Sequence, residues 1–164
     1  MSQRARALEQ LIALAKTISL RIKKLMTYRL IYKSDAGAEL DDAELRSVAM
    51  FSALSNQSEG IAGLLLHYEG HIMQVLEGPK KAVTSLYERI EKDPRHHSVE
   101  CLSEGECKEP AFETWSMGYR PVKSQGEMDM FFALSRGKLA TIIASANSNV
   151  VKDRLKDYLQ KTGM

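Results

Sequence analysis

Gln74 is a primary amide in the middle of an apolar row. Alternation along HIMQVLEG puts Ile72, Gln74 and Leu76 on one side of a strand. If that side is core, two donors and an acceptor must be satisfied there; if it is not, the amide points to solvent, and the pattern leaves both readings open. Asn56, a second amide, lies just upstream of the preceding apolar run. Two amides near one apolar sheet face fit a bound heteroaromatic ring with donors and acceptors on its edge. Tyr32 shares a strand face with Tyr28 and Leu30. A tyrosine there is ordinary packing, unless Gln74 on another strand is its partner. Ser52, one turn before Asn56, either bonds back to its own helix or orients that amide.

A second group is Arg89, Asp93, His96 and His97. Spacing of four lets Arg89 and Asp93 form an ordinary surface salt bridge; the alternative is a cationic patch for a phosphate. The histidines have neither an HExxH pattern nor a cysteine pair beside them, so a metal site is not indicated. Cys101 and Cys107 lack metal-type spacing and read as free thiols in a reducing compartment.

The elements that must position these groups follow in order. Residues 1–26 form an amphipathic helix, with Leu8, Leu11, Ile12, Ala15, Ile18 and Ile22 on one face and basic residues elsewhere. Such a helix packs on its own domain or a second subunit, or lies on a membrane surface. TYRLIYKS is a strand. A helix over about 42–54 carries Leu45, Val48, Ala49 and Ser52 on one face, and Ser55–Gly60 is a loop. IAGLLLHY and HIMQVLEG form a hairpin around Glu69-Gly70. Pro79 opens a helix with Val83, Leu86, Tyr87 and Ile90 as its stripe. SVECLSEGEC and FETWSMGYRPV are strands, the second with Trp115 and Met117 on one face; a lone tryptophan reads as core. MDMFFALSRG, KLATIIASA and VVKDRLKDYLQK are helices. The order β-α-β-β-α-β-β, with helices on one face of a mostly antiparallel sheet, is a ferredoxin-like α+β sandwich with C-terminal helices and an N-terminal helix. Its divisions are 1–26, a domain at 27–122 and a helical extension at 123–164.

The chain has 164 residues, enough for one domain with a real core. Lys and Arg number 23 against 21 Asp and Glu, net +2 and interspersed, which argues against nucleic acid as a direct partner. No apolar run approaches the roughly 18 residues of a transmembrane helix, and no signal peptide is read, so a cytoplasmic protein is expected.

YRLIYKS, SN followed by GIAGLLL, QVLEG, RI with DPRHH, and WSM, in this order and spacing, resemble the BLUF family, the blue-light sensors using flavin. The resemblance covers residues 27 to about 122 and shares the ferredoxin-like fold. It implies a non-enzymatic photoreceptor with FAD as cofactor, FMN and riboflavin being alternatives. Tyr32 matches the photoactive tyrosine, the electron and proton donor. Gln74 matches the glutamine between that tyrosine and the flavin, and Asn56 the asparagine at the flavin carbonyl edge. Ser52 matches a serine near both. Ser55 stands where many members carry asparagine or histidine against the ring, and Ala62 replaces a frequent threonine. Trp115 and Met117 match the last-strand pair that responds on signalling. Arg89, Asp93 and His96 match positions by the ribityl chain and phosphates. The implied partners are flavin and a separate downstream protein, and the apolar tail helices imply a homo-oligomer. The rival readings are a flavin-free interaction module of the same fold and a small phosphatase-like enzyme using Arg89 and Asn56.

Overall fold

The computed structural model describes residues 27–37, 42–113, 115–119, 131–133 and 135–163. The helix expected over 1–26 and the start of the one expected over MDMFFALSRG lie outside them.

The hairpin organises the sheet. β2 (Ala62–Tyr68) and β3 (His71–Gly78) are joined at Glu69 and Gly70, with φ of 49° and 82°. Positive φ at both central residues is the type I′ turn, whose twist matches the strands it joins and which glycine enters without strain. β1 (Thr27–Ala36) lies antiparallel on the other edge of β3, and β4 (His96–Cys107) antiparallel on β1. β5 (Trp115–Tyr119) joins β2 in parallel, and β6 (Phe131–Ala133) joins β5 in parallel. The order is β4-β1-β3-β2-β5-β6. Five strands appear where the sequence predicts them. The sixth does not: Phe131–Ala133 lies in a predicted helix, and pairing with an open sheet edge outweighs local helical spacing there.

Helices α1 (Asp42–Ser58) and α2 (Lys80–Glu91) cover one face. α1 runs further than predicted, so Asn56 stands in its last turn and not in a loop. It ends where Gly60 takes φ 71° and the Ile61 amide donates to the Asn56 carbonyl at 2.8 Å. Pro79, extended, precedes α2, and its carbonyl accepts from Val83 N at 3.0 Å. Gly78 is required at this join: a Cβ there would meet the Gly60 carbonyl at 2.8 Å. Tyr28, Leu30, Tyr32, Ala53, Ile61, Leu76 and Val83 form the core beneath these helices.

The two intervening helices lie on one face, as the sequence reading has them; the C-terminal helices pack on the other. α3 (Arg136–Ser145) and α4 (Asn149–Lys161) are capped by Ser135 and Ser148, whose side chains accept from Lys138 N and Val151 N. They pack Leu139, Val151, Leu155 and Tyr158 on Ile31, Leu64, Leu66, Met73 and Val75. Each such apolar side chain contributes about 1.5–3 kcal/mol on burial. A sheet with apolar residues at both odd and even positions of β1, β2 and β3 needs cover on both sides, and that alternation is why the tail folds back.

Glu77, only 1% exposed, ties this second face together. Arg29, its cross-strand partner, donates through Nε at 2.5 Å, and Ala111 N and Phe112 N donate at 2.8 and 3.0 Å. Arg29 also reaches Ser148 Oγ at 2.8 Å and the Glu109 carbonyl at 3.0 Å. A charge removed from water needs such a full set of partners. No helix of the described residues is long and apolar enough to cross a membrane.

Candidate functional site

β1 and β3 are in the register that pairs Tyr32 with Gln74, and β2 places Leu65 opposite Gln74 from the other side. Alternation then turns Tyr32 and Gln74 to the face under α1 and α2. Both are buried, at 0% and 4% exposed, and the Tyr32 hydroxyl donates to Gln74 Oε1. The amide in the apolar row therefore faces the core. Burial, with Tyr87 and Asp93 adding to it, holds the Tyr32 phenol far above its ordinary range, so it stays protonated.

Asn56 is 3% exposed and reaches this face from the last turn of α1. Ser52, one turn earlier, is half-buried; Val48 is half-buried as well, while the side chains of Leu45 and Ala49 lie outside those described. Ser55 is exposed, and its carbonyl accepts from Glu59 N at 3.1 Å and Ser58 Oγ at 2.8 Å.

Arg89 and Asp93 are not paired, contrary to their spacing. Arg89 Nη2 lies 3.1 Å from Glu59, just past α1, and so links the ends of the two helices. Asp93 accepts instead from Arg95, whose Nη2 approaches at 2.5 Å and whose backbone N–H donates at 3.0 Å. These bonds, led by the Arg95 side chain, hold the Asp93 carboxyl down at about 2. His96 is half-buried, its Nδ1 hydrogen-bonded to Ser34 Oγ at 2.9 Å, and its ring stands edge-on to Tyr32 at 6.2 Å. Burial pulls its pKa below the usual histidine value. The side chains of Trp115 and Met117 lie outside those described; their backbone runs beside Gly63 and Leu65 of β2.

Four residues of this face were not singled out from sequence. Ser34, 4% exposed, positions His96. Tyr87, read as part of an apolar stripe, has its ring 5.6 Å from that of Tyr32. Arg95 takes the role expected of Arg89. His67 shares the β2 face with Leu65, and its Nε2 is buried without a hydrogen-bond partner. A histidine at an alternate position of a core strand was the available signal. Burial, then His71, lowers the His67 pKa. A protonated phenol, two buried amides and an imidazole with an unpartnered Nε2, among leucine and isoleucine, suit a flat ring with polar edges better than a phosphate or a metal.

Comparison with known proteins agrees. The family model described as sensors of blue-light using FAD matches residues 27–118. A photoactivated adenylate cyclase subunit beta of Euglena gracilis is 35% identical over 89 residues, which is 54% of this chain and 10% of that protein. The blue light- and temperature-regulated antirepressor BluF of Escherichia coli K12 is 30% identical over 74 residues, 45% of this chain and 18% of the other. The chain thus spans well under a quarter of the length of the curated relatives it matches. Among solved structures, the dark state of BlrB, a BLUF protein, superposes with TM-score 0.53 at 29% identity, covering 57% of this chain and 70% of that one. The Klebsiella pneumoniae BlrP1 calcium and cyclic-diGMP complex gives 0.62 at 26% identity, covering 84% of this chain and 34% of the other. With sheet order, buried Tyr32–Gln74 pair and a match over more than half its residues in agreement, the chain belongs to the BLUF family, the sensors of blue light using FAD.

Proposed function

We propose that the chain is a non-catalytic photoreceptor module in which Tyr32 and Gln74 form the switch and a flavin, FAD or FMN, is the chromophore. The observation that carries this is the buried hydrogen bond from the Tyr32 hydroxyl to Gln74 Oε1. The site suits the flavin by its donor set. Gln74 and Asn56 would meet the polar edge of the ring, leucine and isoleucine side chains its faces, and the unpartnered His67 Nε2 is free to accept a further contact. Ser52 and Ser55 would line the same end of α1, and Arg89, Asp93 and His96 would stand toward the ribityl and phosphate groups. When bound, the flavin supplies light absorption and the electron acceptor.

The residues of the chain do the rest. Tyr32 yields an electron, and its proton leaves along the bond to the Gln74 amide. An amide both donates and accepts, so Gln74 can settle rotated or tautomerised in a second satisfied arrangement. Two such arrangements in a packed core make a bistable element. Gln74 lies on β3 three residues before Glu77, and Glu77 holds the loop that leads to β5 and, through Arg29, the N-terminus of α4. That connection, with Trp115 and Met117 on β5, carries the change to residues 123–164 and from there to a separate partner protein. The cyclase and antirepressor relatives match over 10% and 18% of their lengths, which supports carrying over the sensor and not their outputs. The test is absorption of the flavin-loaded chain and its Tyr32→Phe variant before and after blue light. The parent should shift to the red and relax in the dark. The variant should bind flavin and show no shift; a normal shift in it would refute the assignment.

A further inference from the structure

Tyr87 is the second oxidisable ring at this site. Its centroid is 5.6 Å from that of Tyr32, tilted by 58°, which is direct contact between the two rings. The two phenols differ in what surrounds them. Tyr32 is fully buried and donates to an amide carbonyl, a weak base. Tyr87 is half-buried on α2, and Glu91 stands one turn on, on the same helix face, where burial and its carboxylate raise the phenol's pKa. Oxidation makes a phenol a strong acid, so a ring with a carboxylate one turn away on its own helix face is the easier one to oxidise. A positive ring is also less costly where burial is less complete.

We propose that Tyr87 is a second electron donor: it refills the hole on oxidised Tyr32 and gives its proton to Glu91. The proposal rests on Tyr32 being oxidised by the photoexcited flavin, as proposed above. One electron passes from the Tyr87 ring to Tyr32 before the Tyr32 proton has left toward Gln74. The Tyr87 O–H bond breaks and a carboxyl O–H bond forms on Glu91. Tyr32 returns to a neutral phenol, and Tyr87 is left as a neutral radical. This route leaves Gln74 unchanged, so it competes with switching and lengthens the life of the separated charges.

The test is electron paramagnetic resonance of the flavin-loaded full chain illuminated while frozen, for the parent, Tyr87→Phe and Glu91→Gln. The parent should give a second tyrosyl signal besides that of Tyr32. Both variants should lose it, keep the signal of Tyr32, and form the red-shifted state with higher yield per photon. Glu91→Gln leaves the Tyr87 ring in place, and Glu91 is exposed, so its result does not depend on repacking. In flavin-free protein the same variant should lower the ionisation of one phenol in a near-ultraviolet alkaline titration. Identical spectra and titrations in all three proteins overturn the role of Tyr87. A parent with neither tyrosyl signal nor red shift overturns the Tyr32 assignment instead.

Discussion

Tyr32 and Gln74 satisfy each other in a place water does not reach, and this makes them interdependent. Tyr32→Phe leaves the Gln74 carbonyl without its donor, and Gln74→Leu leaves the phenol without its acceptor. Each should cost about 1–3 kcal/mol in the flavin-free protein, and the double variant less than the sum, because both polar groups then leave together. Urea midpoints at unchanged slope check this; simple additivity would show that the bond is not made. The phenols make a second prediction. Glu104, 2.7 Å from the Tyr28 hydroxyl, and burial push Tyr28 up to about 12; burial and Glu91 do the same for Tyr87. Burial raises Tyr32 and Tyr158 as well. Since the folded values lie above the ordinary 10.0, this stabilisation is complete below pH 10 and is lost as pH rises through about 12. Tyrosinate absorbance from the buried Tyr32 and Tyr158 should therefore appear together with unfolding, not before it. Strand alternation offered Tyr32 and Gln74 as possible partners but left the facing of Gln74 open, and the family resemblance made the pair legible. The tie from Arg89 to Glu59 was not, because those residues are 30 apart in sequence and only the packing of two helices joins them. Tyr87 was hidden for a different reason: a tyrosine in an apolar stripe carries no mark of what its ring touches.

At the scale of elements, the hairpin was readable in full because Glu69-Gly70 names its own turn and the turn sets the register. Helix ends were less so: α1 continues to Ser58 because the cap formed by Gly60 and Ile61 lies beyond the last apolar position. The face covered by the tail helices was not readable, since an apolar stripe does not say which surface it meets. The second face predicts two effects. Leu155→Ala, at a site with no exposure, should cost about 2–5 kcal/mol. Glu77→Ala should cost about 3–5 kcal/mol, since it strands the Arg29 charge and two loop amides. Denaturant unfolding measures both, and a loss under 1 kcal/mol for Glu77 would mean that the loop finds other partners. The turn before β4 has its own pH window. Asp93 is depressed from 3.8 to about 2, so its bond to Arg95 is complete above pH 4 and is lost as pH falls toward 2. Asp93→Asn should flatten the acid limb of the stability profile over that interval.

The described residues form one sheet with a different task on each side. Under α1 and α2 lie the phenol and the amides; under α3 and α4 lie an apolar core and the Glu77 cluster. Removing residues 134–164 should uncover Leu64, Leu66, Met73 and Val75, giving a chain that binds hydrophobic dyes and self-associates. A monodisperse truncated chain would show that the second face is closed in another way. The fold class was legible because five strands and two intervening helices leave few topologies. The sixth strand was not, since a three-residue edge strand exists only by pairing with its neighbour. The central claim is that the buried Tyr32–Gln74 bond is the light-operated switch. The most direct test is the infrared difference spectrum, light minus dark, of the flavin-loaded chain with its glutamine side chains isotopically labelled. An amide band that moves on illumination, recovers in the dark and is absent from Gln74→Leu is the predicted result. A flavin red shift with no change in any glutamine band would contradict it.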